Sequence, residues 1–200
     1  MTKINLPCSN CFTQTLDEAG KKVGCPLYDP DAHNPHNYFG DLDKPRFVII
    51  GEAPSKTEQL QGIAFLGREG KLLSTALSKF HLNTERFAMY NVVQCRPTKE
   101  NQYGKIINKK PSATEKKVCK ENLEAFLTHT KPEYIIALGA MAASQLKVTG
   151  KISDNHGQFF ETPYGKVMPM YGPGYVLRSP NFQEDFEEAL AAFREMLDGE

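Results

Sequence analysis

The sequence predicts an α/β protein of three layers, with helices on both faces of a central, mostly parallel four-stranded sheet. Three observations carry this. Four short runs, Arg46–Ile50, Phe87–Val93, Glu133–Leu138 and Lys166–Met170, are apolar and of strand length. Each is followed by a segment whose apolar residues recur at helical spacing. The two kinds alternate along the chain, which in one sheet gives parallel strands joined by crossovers. Loops 51–67, 94–111, 139–140 and 171–180 then gather at one sheet edge, where open α/β sheets place their ligands.

The first run, Arg46–Ile50, is unbroken, as in a strand buried on both faces. After it comes Gly51-Glu52-Ala53-Pro54, where Gly51 and Pro54 are expected to shape a tight turn and Glu52 to reach the floor of a site. Gly62 and Gly67 bracket Phe65, an aromatic side chain that the loop can present to a flat ligand. From about Glu69 to Phe80 a helix is predicted, with Leu72, Leu73, Ala76, Leu77 and Phe80 as core. In the second strand, Asn91 interrupts the apolar run near its carboxyl end. A buried amide must be hydrogen-bonded, so Asn91 either holds a neighbouring loop or reads a ligand edge with one donor and one acceptor. Cys95-Arg96-Pro97 closes that strand, and a long loop runs to Pro111.

Ser112 with Glu115 three residues later forms the pattern of a capping box for a helix to about His129. The third strand ends at Gly139, and a short helix of small residues, Ala140–Leu146, follows. Residues 150–165 suggest a loop or hairpin. Pro169 in the fourth strand argues for an edge position or an early end. A second candidate site loop is Tyr171–Pro180, and Asn181 is the expected cap of a last helix over 182–197.

The chain has 200 residues, 40% of them hydrophobic, a size and composition suited to one domain over 1–200 with a real core. In that reading, residues 1–45 are a cysteine-bearing N-terminal segment of the same domain. Formal net charge is zero, but the charges are segregated. Residues 99–120 hold seven lysines against two glutamates, and residues 184–200 hold seven acids against Arg194 alone. The basic segment suits phosphate contacts. Long apolar spans of about 20 residues and signal-peptide patterns are both missing, so a soluble, cytoplasmic protein without a membrane partner is expected. Five cysteines, Cys8, Cys11, Cys25, Cys95 and Cys119, in such a compartment favour metal or cluster ligation over disulfides. His33 and His36 are conceivable further ligands. Gly-x-Gly-x-x-Gly and Walker patterns are absent, which disfavours an ordinary nucleotide-binding domain.

Taken together in order, the loop motifs resemble the iron–sulfur, family 4-like branch of the uracil-DNA glycosylase superfamily. Gly51-Glu52-Ala53-Pro54 through Phe65-Leu66-Gly67, with Gly70, Leu72 and Leu73, resembles its first signature. Asn91-Val92-Val93-Gln94-Cys95-Arg96-Pro97, then Cys119 with Leu123, then Ile135–Gly139 with Ala142, resemble the next blocks. Tyr175-Val176-Leu177-Arg178 resembles the tail of the last one. The resemblance implies a monofunctional DNA glycosylase, acting as a monomer, that flips a nucleotide from DNA and hydrolyses its N-glycosidic bond. Phe65 then stacks on the base, and Asn91 bonds its pyrimidine edge beside Ala53. Glu52 orients or activates the attacking water. Lys105, Asn108, Lys109, Lys110, Tyr175, Arg178 and Ser179 face the DNA. A structural [4Fe-4S] cluster is implied on Cys11, Cys25, Cys95 and Cys119, with Cys8 as the alternative to one of the first two.

The chain departs from the pattern at three places, one of them Gln59, which stands where many relatives have an acid after Glu58. Where the last signature usually begins His-Pro-Ser, this sequence has Gly172-Pro173-Gly174, which removes a donor to the base oxygen. Gly172 and Gly174 also free space at the pocket edge, as a bulky modified pyrimidine such as glucosylated hydroxymethylcytosine requires. The loop Gly104–Ser112 resembles one that traps uracil-DNA covalently through a His, but Asn108 stands at that position and no stable adduct is expected. If the departures abolish catalysis, the alternative is a silent iron–sulfur DNA-binding relative.

Overall fold

The computed structural model describes residues 38–199, together with Thr15–Leu16, Lys22–Val23 and Leu27. Cys8, Cys11, Cys25, His33 and His36 lie outside the described residues. Strands β1 (Thr15–Leu16) and β2 (Lys22–Val23) pair antiparallel. The main sheet has six strands in the order β3-β5-β4-β8-β10-β9. Its four central members are the predicted ones: β4 (Phe47–Gly51), β5 (Phe87–Asn91), β8 (Tyr134–Leu138) and β10 (Gly165–Met170). They run parallel. The four-stranded expectation is short by two edge strands, β3 (Tyr38–Gly40) on β5 and β9 (Phe160–Thr162) on β10, both antiparallel. Three-residue strands with half-exposed side chains carry too little apolar periodicity to announce themselves.

Alternation along each central strand builds two cores. Val48 and Ile50 of β4 join one face, covered by α3 (Ala113–Thr130) and α4 (Ala140–Gln145). Phe47 and Ile49 join the other, covered by α2 (Arg68–Lys79) and α7 (Gln183–Asp198). β4 and β8 are buried along their whole length, which explains their near-continuous apolar sequence. Phe47, Phe126, Phe186 and Phe193 are fully buried, and each such side chain contributes about 1.5–3 kcal/mol of burial.

The predicted capping box of α3 is present: Glu115 N donates to Ser112 Oγ at 3.2 Å and Ser112 N to the Glu115 carboxylate at 2.7 Å. Four other expectations change. Loop 51–67 contains a helix, α1 (Lys56–Gln61). Loop 94–111 contains the hairpin β6 (Thr98–Glu100) and β7 (Ile106–Asn108). Residues 150–165 hold a short helix, α5 (Ile152–Asn155), ahead of the β9–β10 hairpin. Asn181 lies inside the 3-10 turn Pro180–Phe182, so Phe182 caps α7 instead. Pro169 behaves as its chemistry demands. Its carbonyl accepts from Gly157 N at 2.9 Å on the side of β10 that β9 has stopped covering after Val167. No ladder bond there needs the missing proline N–H.

Candidate functional site

Strand order decides where the site forms. From β4 the chain crosses to β5 on one side, and the next strand, β8, lies on the other. The loops leaving β4 and β8 therefore diverge, opening a crevice beyond the carboxyl ends of the strands. A cleft of about 730 Å³ lies there. It is lined by the loop after β4, the end of β5, the exit of the β6–β7 hairpin, Gly139 after β8, and α6 (Pro173–Arg178).

Two glycines without side chains seat the aromatic ring. A Cβ on Gly51 would lie 2.5 Å from Phe65 Cζ and 2.5 Å from Asn91 Oδ1. Gly51 is therefore the last residue of β4, not the turn former expected, and its bare backbone lets the ring and the amide approach each other. A Cβ on Gly70 would fall 1.5 Å from the Phe65 carbonyl oxygen. Phe65 itself has a left-handed backbone, φ 59°, which non-glycine residues adopt only at a cost. The surrounding packing holds that conformation, and the ring is half-buried against the α2 side of the core.

Asn91 is paired in register with Gly51 and is buried, at 2% exposure. The strand bends immediately after it: Val92 and Val93 donate their N–H groups to the carbonyls of Gly51 and Glu52, at 2.9 and 3.0 Å. Buried Gln94 reaches back, donating to the Asn91 carbonyl at 2.5 Å. These bonds couple the end of β5 to the Glu52 loop, so the amide and the carboxylate are held by one scaffold. Glu58, on α1, is buried at 8% exposure and accepts from Ser55 N at 2.5 Å, fixing the far end of the same loop.

Of the residues expected at the site, Glu52, Ala53, Phe65, Asn91, Gly172 and Gly174 all line the cleft. So do Asn108, Lys109, Lys110, Tyr175 and Arg178. Lys105 and Ser179 are not among its lining residues. Lys109 is tied to Glu115 at 2.6 Å, and Asn108 Oδ1 accepts from Arg96 Nε at 2.6 Å. Both side chains are thus partly committed to holding the hairpin. Gly172 opens onto free space. Gly174 does not: its missing Cβ would fall 2.5 Å from a carboxylate oxygen of Glu69.

Glu69 also lines the cleft, and no local pattern singles it out, because it reads as an ordinary first-turn acid of α2. Glu69 is exposed to the open cleft, and partial desolvation there raises its carboxyl from the ordinary value; Glu58 adds to the rise, Arg178 opposes it and Glu52 adds further. A second unselected feature stands behind the last loop. His156 Nδ1 accepts from Tyr171 N at 3.1 Å, and its Nε2 lies 3.0 Å from the Asp185 carbonyl. The first contact requires an unprotonated Nδ1, so Nε2 carries the proton and donates. The imidazole also stacks on Tyr171, with ring centroids 4.1 Å apart. Tyr171 packs in turn on Tyr175 and Phe182, and all three border the cleft beside Gly172-Pro173-Gly174.

The implied cluster ligands are described at two positions. Cys119 on α3 is fully buried and Cys95 partly so. Both act on the Tyr90 hydroxyl, whose ionisation is pushed well above its usual range by burial, then Cys119, then Cys95. That hydroxyl is buried without a hydrogen-bond partner among the described residues. Two thiols near one buried hydroxyl, beside the strand that carries Asn91, fit two ligands of a cluster. Among the described residues no group of three or more metal-ligating side chains occurs.

The family described as the Uracil DNA glycosylase superfamily matches residues 38–194. The chain is 32% identical over 164 residues to a type-4 uracil-DNA glycosylase of Archaeoglobus fulgidus, covering 77% of this chain and 78% of that one. It is 34% identical over 160 residues to a type-4 uracil-DNA glycosylase of Thermotoga maritima, covering 75% and 78%. The crystal structure of Pedobacter heparinus SMUG2 superposes with a TM-score of 0.57 at 13% identity, over 78% of this chain and 77% of that one, a likeness of fold. The match spans β3 to α7 and includes every strand whose carboxyl end builds the cleft, and on that ground the chain belongs to the uracil-DNA glycosylase superfamily, in its type-4 branch, and is by that membership a DNA glycosylase.

Proposed function

We propose that this chain excises uracil from DNA by hydrolysing the N-glycosidic bond of an extruded nucleotide, acting as a monomer. The observation that carries the reading is the arrangement around Gly51, where the Phe65 ring and the Asn91 amide meet over bare backbone one residue from Glu52. A flat base stacks on Phe65. Asn91 supplies one donor and one acceptor to its edge. Glu52 takes the proton of the attacking water beside the sugar, where a carboxylate also stabilises developing positive charge. Arg178 and Lys110, both exposed at the cleft rim, contact phosphates and hold the strand.

A [4Fe-4S] cluster on Cys95 and Cys119 completes the reading, with its other two ligands among Cys8, Cys11 and Cys25. Leu27 packs on the same core group that contains Cys119, which favours its near neighbour Cys25 as one of them. The cluster serves as a staple, with no redox step in the hydrolysis. A second reading, excision of pyrimidines with a large substituent, is favoured by one observation: among the described residues nothing lies within 4 Å of the Cβ position of Gly172. Glu69 fills the corresponding space at Gly174, so the extra room is on one side only.

The test is incubation with oligonucleotides carrying uracil, hydroxymethylcytosine or glucosylated hydroxymethylcytosine, followed by alkaline cleavage. Excision of uracil, lost in Asn91→Ala, supports the first reading. Excision of the glucosylated base alone establishes the second. DNA binding with no cleavage of any substrate replaces both with a silent binding relative. Brown protein with a thiolate–iron band near 400 nm (about), lost in Cys119→Ser, identifies the cluster.

A further inference from the structure

Breaking an N-glycosidic bond leaves the bonding electron pair on the base, so a hydrogen-bond donor at a base carbonyl lowers the barrier. The wall made by Gly172-Pro173-Gly174 has no side-chain donor, and Pro173 lacks a backbone N–H. One side chain occupies that wall instead. The Glu69 carboxyl lies where a Cβ of residue 174 would be, with Oε1, Cδ and Oε2 at 2.5, 2.8 and 3.1 Å from that position, and it borders the cleft. It forms no hydrogen bond or ion pair among the described residues. Resting on the glycosylase reading above, we infer that the Glu69 carboxyl donates its O–H to a carbonyl oxygen of the extruded base.

The step balances. Water adds its oxygen to C1′ and gives its proton to Glu52. The N–C1′ electron pair leaves with the base, and the O–H of Glu69 stabilises the resulting anion. The charged surroundings of Glu69 come from four elements. Partial desolvation, Glu58 on α1 and Glu52 after β4 favour the neutral form; Arg178 on α6 and the α2 N-terminus favour the anion. A base seated in the cleft removes further water from the carboxyl and strengthens the first set. An acid kept neutral so that it can donate is a known device for stabilising a developing oxyanion.

Two substitutions of Glu69 and one of Gly174 make this testable by single-turnover excision across pH. Glu69→Ala is expected to slow excision about 10²-fold, the cost of losing one such donor. Glu69→Gln, which still donates but does not titrate, is expected within about tenfold of the parent and without the loss of rate at alkaline pH that the parent shows. Gly174→Ala drives a methyl into the carboxyl; it is expected to slow the parent as Glu69→Ala does and to add nothing in the Glu69→Ala background. Parent-like rates in Glu69→Ala, or an unchanged alkaline limb in Glu69→Gln, overturn the inference while leaving the glycosylase reading standing. Should Glu69→Ala lack a cooperative melt, Gly174→Ala decides alone, and an unchanged rate there overturns the inference. A parent protein that excises no base overturns both.

Discussion

The two ends of the sheet handle charge in opposite ways. At the amino end, Arg46 and Arg194 grip the two oxygens of Glu85, at 3.1 and 2.8 Å, and Arg194 also pairs with Asp198. Arg46 further donates to the Leu197 carbonyl. This network ties the start of β4 and the turn before β5 to the end of α7. At the carboxyl end, the side chains of Glu52, Glu69 and Arg178 border one cleft and make no hydrogen bond or ion pair among the described residues. Pairing them internally would raise stability and consume the groups that a substrate needs. One end of the sheet is built to hold, the other to receive.

Substitutions break this contrast in graded steps. Glu52→Gln acts only at the receiving end: excision is expected to fall by about 10²–10⁴-fold, with thermal melting unchanged. Parent-like turnover in that variant removes Glu52 from its role. Gly51→Ala should act on both function and fold, because its methyl meets Asn91 and Phe65 together. A loss of about 1–3 kcal/mol by denaturant titration is expected, with base excision impaired as well. If stability falls but excision survives, the Phe65–Asn91 pairing is structural. Lys110→Ala should weaken DNA binding alike for all sequences and reduce the salt slope of log K by about 1.

Glu85→Gln has the smallest effect and no effect on excision. Arg194, and after it Arg46, hold the Glu85 carboxyl below its usual range. A lowered folded-state value contributes stability above the unfolded-state range and loses it as pH falls through the folded-state one. The variant should therefore melt a few degrees lower at neutral pH and indistinguishably from the parent in strong acid, as calorimetry at both pH values will show. A deficit that persists in acid assigns the loss to packing.

The central sheet was legible in the sequence because strands buried on both faces must be apolar throughout, as β4 and β8 are. Gly51, Phe65 and Asn91 could be picked out as loop or strand-end anomalies. That the Phe65 ring and the Asn91 amide both close on Gly51 was not, since it depends on a left-handed Phe65 that no local pattern predicts. Asn181 failed as a cap because a 3-10 turn starting at Pro180 takes the helix start one residue further. Glu69 was invisible for a different reason: an acid in a helix's first turn is common, and only its contact with Gly174, more than 100 residues away in the chain, sets it apart.

The strand order also governs when the cleft exists at all. Glu52, Asn91, Gly139 and Gly172 are spread over the last three quarters of the chain, and the last of them is delivered by β10, which lies against β8 on the far side from β4. Contacts of such long sequence separation form late and slowly. A growing chain can place Glu52 beside Asn91 as soon as β4 and β5 pair, but the wall bearing Gly172 must wait for β10 to dock. Base excision thus reports completion of the sheet: a partly synthesised chain is expected to be inert toward DNA, and competence arrives with the final strand and the helix behind it.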